Sequence, residues 1–587
     1  MFMAIKEFYS HMKPKTAMFK LGLFFSAFST VLMILPARLF GYAIDNSVLG
    51  DKKSLLLPVL GVVVLIGLLK TSSRYIMILL FEYPTQHLYF NLRDKLYNKL
   101  QSLDASFYGS TTAGEIMAKM TGDLDMMRHF FAWIIYNSFE AVFLFTITLI
   151  YLSTINLYLT LLLLACAPFI FFLNKKMFGK LSPLFKKTRE YYSELTQAVQ
   201  ENIAGNRIVK AFVREDYEIT KMGKKNDDMR DINIKVTNTY LKFAMPTDFF
   251  TLVLSVIALA GGAYLVIKGK LSIGGLSIFT GLTWALNIPL KMSGNMINEF
   301  QRFSASVEKI LPLYYANPQI KGPEHPVSKN KIEGNLSFNN VTLKINGKTI
   351  LDKINLDIKK GETVAIIGPT GSGKTMLISL ILRLFDATAG KIALDGIDIK
   401  KYSLKDLRSS IGVSAQDVFL FSNTIEGNIA YSNPDMNLED IKNYANIAEA
   451  DEFIKATPDG YGTIIGERGV GLSGGQKQRI SLARAIATQA PILILDDTTS
   501  SVDMETEKRI QSSFENINNC TKIIIDQRIS SVYNADKIIV LEKGKITETG
   551  THNELKHSGG YYSRIYEMQH GDSEQGVNAD GKEYIRN

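Results

Sequence analysis

Thr363-Val364-Ala365-Ile366-Ile367-Gly368-Pro369-Thr370-Gly371-Ser372-Gly373-Lys374-Thr375 is the stretch on which the reading of this chain turns. Five apolar, mostly β-branched residues make a buried strand, a glycine-rich turn follows, and Thr375 opens an apolar helical run to Phe385. Gly368 to Thr375 fits the pattern G-x-x-x-x-G-K-[ST]. Its glycines let successive backbone N–H groups face a phosphate, and the helix start adds positive potential. Lys374 is expected at the β- and γ-phosphates of a nucleotide, and the Thr375 hydroxyl at Mg2+. A chance glycine-rich turn would lack both the Lys-Thr pair and the strand–helix setting.

Working outward, short β-rich runs alternate with helical ones: ETVAIIG, KIALDG, SIGVSAQ, PILILDD, TKIIID and DKIIVLEKGKITETG. That alternation predicts a layered α/β domain with a largely parallel core. The strand Ile492–Leu495 ends in Asp496 and Asp497, an apolar strand finishing in a carboxylate on the expected Mg2+ side. Before it stands Leu472-Ser473-Gly474-Gly475-Gln476, followed by KQRISLARAI.

Upstream the character changes. Hydrophobic residues make up 46% of the chain and charged residues 21%, an average that hides two unlike halves. A membrane-crossing helix needs about 20 mostly apolar residues. Six such stretches occur: Met18–Tyr42, Leu55–Phe81, Phe131–Ser153, Leu157–Leu173, Met245–Ile267 and Ile273–Pro289. Short loops join them in pairs, whereas the second-to-third and fourth-to-fifth connections are long, charged and helical in pattern. Lys6, Lys13 and Lys15 before the first span, and Lys175, Lys176, Lys180, Lys186 and Lys187 in a long connection, place those segments in the cytoplasm. Lys268 and Lys270 fall on the outer side as an exception.

The net charge of +9 reads as a solvated basic face on those cytoplasmic helices, not as a nucleic-acid surface. Cys166 and Cys520 match no metal or disulfide spacing. The expected organisation is an all-α six-helix membrane domain over residues 1–315 and a linker at 316–331. An α/β nucleotide-binding domain over 332–569 and a disordered polar tail at 570–587 complete it.

Taken in order, these motifs resemble those of a half-transporter of the ATP-binding cassette exporter family, over nearly the whole chain. The resemblance implies two cassettes sandwiching two ATP molecules with Mg2+, the phosphate loop of one chain facing the LSGGQ of the other. Gln416 then matches the glutamine that senses Mg2+ and the membrane helices. Ser473, Gly474, Gly475 and Gln476 would hold the partner's ATP, and Asp503 matches the loop between the two sites. Gly466-Glu467-Arg468-Gly469 resembles a segment that meets the partner's intracellular loops, and Gly114-Glu115 and Gly205–Phe212 resemble such loops.

Three positions depart from the family pattern. Asp497 stands where a catalytic Glu is expected, one methylene shorter; Gln527 stands where a switch His is expected; Ile345 stands where an aromatic would stack on adenine. Glutamine can donate a hydrogen bond but cannot carry a proton charge. The LSGGQ is intact. The resemblance with these departures implies a heterodimer with a second half-transporter that supplies Glu and His, hydrolysis occurring mainly at the partner's site. A homodimeric lipid or peptide exporter and an ATP-gated channel or regulatory subunit are the alternatives. Glu140 and Asp248 lie within spans and are candidates for contact with a small amphipathic substrate. The Phe-rich runs suit either lipid or such a substrate.

Overall fold

The computed structural model describes residues 15–574 apart from 51, 328–330, 467, 468, 470, 516, 518 and 519. They divide into two compact units. One comprises the chain up to Ser102 with Thr111–Ala316; the other comprises Leu103–Ser110 and the chain from Asn317 on.

In the first unit, the apolar stretches become six helices long and apolar enough to cross a membrane. They are α1 (Thr16–Val48), α2 (Lys53–Ser102), α3 (Ala113–Ile155), α4 (Leu157–Ala204), α5 (Glu215–Ile267) and α6 (Ile273–Tyr315). Each but the first runs well past the apolar stretch that announced it, because charged heptad-like sequence continues the helix without a break. α2 shows how the faces divide. Ile66, Ser73, Met77, Phe81, Leu88 and Leu92 are buried along one stripe, while Leu57, Val64, Leu68 and Tyr75 are exposed on the other. An exposed apolar stripe of that length is matched by lipid. The buried stripe packs along α1: the Phe19 ring meets Phe81 edge-on at 4.8 Å, and Ser73 Oγ donates to the Phe25 carbonyl at 3.3 Å.

α3 is broken into register by two π-helical turns, Lys119–Asp123 and Phe130–Ile134. The second aims Phe130 flat onto Phe303 of α6, at a centroid distance of 3.7 Å. Beside the first, buried Asp123 accepts from Ser306 Oγ at 2.8 Å. At the other end of α6, Ser272 caps Gly275 N at 2.9 Å, and Asp45 of α1 accepts from Gly274 N at 2.7 Å. The helices cross there on bare backbone: a Cβ at Gly274 would stand 2.1 Å from the Gly41 carbonyl oxygen. Small residues at a crossing let backbones approach closely.

The second unit has two sheets. β1 (Leu336–Ile345), β2 (Lys348–Ile358), β4 (Ala389–Leu394) and β5 (Ile397–Asp398) pair antiparallel in the order β2-β1-β4-β5. β3 (Thr363–Ile367), β6 (Ile411–Ser414), β7 (Ile492–Asp496), β8 (Thr521–Ile525), β9 (Lys537–Glu542) and β10 (Lys545–Gly550) form the other, ordered β10-β9-β3-β8-β7-β6. Its strands are parallel except β10, which returns antiparallel to β9. The run KIALDG belongs to the antiparallel sheet, where β4 pairs with β1 through Leu336–Leu394. Helices α7 (Lys374–Ile381), α8 (Gly474–Ala487), α9 (Met504–Glu515) and α10 (Tyr561–Glu574) complete the elements used below. Helix α10 takes in residues 570–574 of the expected tail. The remainder of that tail, 575–587, lies outside the described residues.

The α1–α6 crossing predicts a contrast between two glycines. Gly274→Val should lower the thermal unfolding midpoint of the detergent-solubilised protein by several degrees. Gly281→Ala, whose Cβ would meet only Ala37 at an ordinary 3.8 Å, should leave it unchanged. Equal behaviour of the two variants would refute the close-packed crossing.

Candidate nucleotide site

The glycine-rich turn between β3 and α7 takes backbone angles that only glycine adopts freely: φ is +80° at Gly371 and +107° at Gly373. A side chain at Gly373 would also stand 2.8 Å from Leu351. With this turn Gly368, Pro369, Thr370 and Ser372 wrap around the start of α7. Lys374 Nζ donates to the carbonyls of Gly368 (2.6 Å) and Pro369 (3.0 Å), so its charge lies across the turn. Ser372 Oγ is buried and has no hydrogen-bond partner among the described residues.

β7 lies one strand removed from β3, with β8 between them, and brings Asp496 to the same end. Asp497 follows in a left-handed conformation (φ +51°), donating its N–H to Ile525 O at 2.8 Å. Its carboxylate accepts from Gln416 Nε2 at 3.3 Å. Lys374, Thr375, Gln416, Asp496, Asp497 and Gln527 together line a cavity of about 280 Å³. Burial, reinforced by Asp497, pushes Asp496 up to about 6, with Lys374 opposing. Burial likewise holds Lys374 below the ordinary lysine value, Asp496 and Asp497 pulling it back up.

These residues fit a nucleoside triphosphate with Mg2+. The turn and Lys374 suit phosphate oxygens, Ser372 has an unused hydroxyl, and Thr375, Gln416 and Asp496 offer the oxygen donors a hard cation takes.

Ile345 closes β1, half-buried against the core beneath the antiparallel sheet, and pairs with Lys348 across a tight turn; it does not line the cavity around Lys374, whereas Ile350 of β2 does. Ser473 caps α8: its Oγ accepts from Gln476 N at 3.3 Å, and Gln476 Oε1 accepts from Ser473 N at 2.9 Å. Gly474 and Gly475 pass against Ser501; a Cβ on Gly475 would stand 2.7 Å from its carbonyl oxygen. Asp503 accepts from Thr506 N (2.9 Å) at the start of α9. Glu467 and Arg468 lie outside the described residues. In the first unit Glu140 is half-buried on α3, and exposed Asp248 pairs with Lys291 Nζ at 2.6 Å.

Three residues that the sequence alone did not single out tie these parts together. Gln478 of α8 donates to Ser500 Oγ (2.9 Å) and accepts from Ser501 N (3.0 Å). Arg528 donates to Ser500 O (2.8 Å) and to Glu507 (2.9 Å). Gln569 of α10 donates to Gln527 O (2.9 Å) and accepts from Ile529 N (2.8 Å). Arg528 adjoins Gln527 and Gln478 follows LSGGQ closely, so proximity was their only available signal. Gln569 is one of several polar residues in its helix and gave none.

Two family descriptions match the chain: "ABC transporter transmembrane region" over residues 19–290 and "ABC transporter" over 351–500. YknU of Bacillus subtilis, an uncharacterized ABC transporter ATP-binding protein, is 38% identical over 82% of this chain and 83% of its own. The "Putative multidrug export ATP-binding/permease protein YgaD" of the same organism is 31% identical over 90% and 93%. A Staphylococcus aureus protein of the same description is 33% identical over 92% and 94%. A solved bacterial Atm1-family ABC exporter with ATP bound superposes with a TM-score of 0.79, at 24% identity, over 97% of this chain and 99% of its own.

The Gln569 clamp yields a direct prediction. Gln569→Ala removes the acceptor of the Ile529 amide, a loss of about 1 kcal/mol. Hydrogen exchange at Ile529 should therefore accelerate about fivefold while β8 keeps its protection. Unchanged exchange at Ile529 would show that the clamp does not hold this loop.

Proposed function

The chain belongs to the ABC transporter family, as a multi-pass membrane protein with its nucleotide-binding domain in the cytoplasm, and from that premise we propose that it is one half of a heterodimeric, ATP-driven exporter. Its cargo on this reading is amphipathic or drug-like, in keeping with the descriptions of relatives at 31% and 33% identity. The partner is a second half-transporter carrying the Glu and His that this chain lacks.

One observation carries the asymmetry. The carboxylate in the base position, Asp497, is engaged with Gln416 at 3.3 Å, and Gln527 faces it across the cavity. A general base must lie within hydrogen-bond reach of the water it activates. Shortening the side chain by one methylene withdraws it by about 1 Å, a displacement that costs roughly 100-fold in rate. Gln527 can orient a phosphate oxygen by donating a hydrogen bond, but it takes up no proton near neutral pH.

Holding ATP asks less of the site. The turn and Lys374 neutralise and orient the phosphates, and Thr375, Gln416 and Asp496 would hold Mg2+, which when bound shields charge between phosphate oxygens. On this reading the chain binds ATP at its own turn and hydrolyses it slowly. Ser473 to Gln476, exposed at the start of α8 and rigidly capped, complete the partner's faster site.

ATPase rates of the chain alone and of the pair test this. Exchanging the partner's catalytic glutamate for glutamine should lower turnover of the pair about 100-fold or more, as expected for loss of a base. Asp497→Glu in this chain should leave the pair able to turn over. If the chain alone hydrolyses ATP as fast as the pair, Asp497 and Gln527 are working substitutions and a homodimer replaces the heterodimer.

A further inference from the structure

Asp248, one of the two acidic candidates inside the spans, is already answered by Lys291 at 2.6 Å. The other, Glu140, is not. Neither its side chain nor those of Lys70 and Arg74 makes a direct ion pair or hydrogen bond among the described residues, although both cations act on Glu140 electrostatically. All three lie within helices long and apolar enough to cross a membrane, toward the cytoplasmic ends of the apolar stretches. At 1.5 Å per residue, Lys70 is about 21 Å along α2 from Leu56, and Glu140 about 22 Å along α3 from Ile155. Arg74 follows one turn beyond Lys70.

Their direction matters as much as their depth. Lys70, half-buried, is four residues from Ile66 and seven from Met77 and so lies along the buried stripe of α2, and exposed Arg74 stands at that stripe's edge four residues further. The lipid-facing residues Leu57, Val64, Leu68 and Tyr75 are on the opposite side. Glu140 likewise falls four residues from buried Tyr136 and four from buried Leu144 on α3. Tyr136 stacks on Phe81 of α2 at 5.2 Å, which turns the two stripes toward each other. Toward the cytoplasm the next charges are closed off, Arg128 bonding Glu82 and Asp125, each at 2.9 Å. Above that closed set stand two cations and one carboxylate, with one positive charge unanswered.

Charged side chains in a span face the bundle interior or a water-filled path and mark what passes there. We propose that Lys70 and Arg74, with Glu140, form a subsite for the anionic headgroup of an amphiphile. The headgroup is a singly charged carboxylate or phosphodiester that balances the surplus positive charge. Glu140 sets that balance by opposing a second negative charge. The chemistry is common to an anionic phospholipid of the surrounding bilayer and to a free acidic amphiphile. The inference deepens the exporter reading and takes from it only the direction of movement.

The test uses the full chain in phosphatidylcholine nanodiscs and measures equilibrium binding of pyrene-dodecanoate, with a pyrene-alkyl-trimethylammonium probe as the opposite charge. The carboxylate probe should bind, and Lys70→Gln with Arg74→Gln should weaken it about tenfold or more, as loss of charge-assisted contacts requires. Lys70→Arg with Arg74→Lys should retain binding, and Glu140→Gln should tighten it. Displacement of the probe by phosphatidylglycerol identifies a lipid headgroup as the occupant, and resistance to displacement identifies a free acidic amphiphile. The inference is overturned if the doubly neutralised protein binds the carboxylate like the wild type, or if the ammonium probe is the one that binds and Glu140→Gln abolishes it. Because binding is read without ATP, an intact subsite in a protein whose ATP turnover moves nothing would refute the pump and leave the subsite standing.

Discussion

Two adjacent carboxylates at the end of one buried strand are the constraint around which the soluble unit is arranged. Asp496 is 5% exposed, and its neighbour Asp497 adds to the penalty that burial imposes. Since the folded value, about 6, lies above the ordinary 3.8, the fold favours the protonated acid. The stability withheld is therefore withheld above about pH 6 and restored below the ordinary value, on the order of 3 kcal/mol. The fold sustains this because β7 is flanked by β6 and β8 and its apolar residues are buried on both faces. Perturbed carboxylates of this kind gather where cations and reacting groups are handled, and Lys374 faces them across the cavity.

The membrane imposes the corresponding constraint on the first unit. There, charge must be paired, carried beyond the bilayer or put to use. Asp45 spends its charge on a backbone N–H at the start of α6, Asp248 and Lys291 neutralise each other, and Arg128 gathers two carboxylates. Lys70, Arg74 and Glu140 make no such bond among the described residues.

What the sequence disclosed follows from how local each signal is. The glycine-rich turn and the strand ending in Asp496 depend on neighbours in the chain, and the structure has both where the sequence puts them. The long apolar runs disclosed the spans for the same reason. Pairing between distant strands is not local, which is why the sequence alone did not say that KIALDG pairs antiparallel with β1 or that Ile345 pairs with Lys348. Gln569 was invisible because its importance lies in two backbone groups 42 and 40 residues away.

The same non-local bonds bear on the proposal that this chain's site is paired with a partner's. The loop bearing Gln527 is held from behind by Gln569, and Arg528 joins it to Ser500. Ser500 is in turn bonded to Gln478, two residues into the helix beyond the LSGGQ. A continuous set of hydrogen bonds thus runs from the wall of this chain's own cavity to the base of the surface that would meet the partner's nucleotide. None of these bonds uses the side chains of Asp497 or Gln527. Chemistry at those two positions can therefore change without loosening this frame, and on the heterodimer proposal that separation would let a poorly hydrolysing site remain a structural part of the pair.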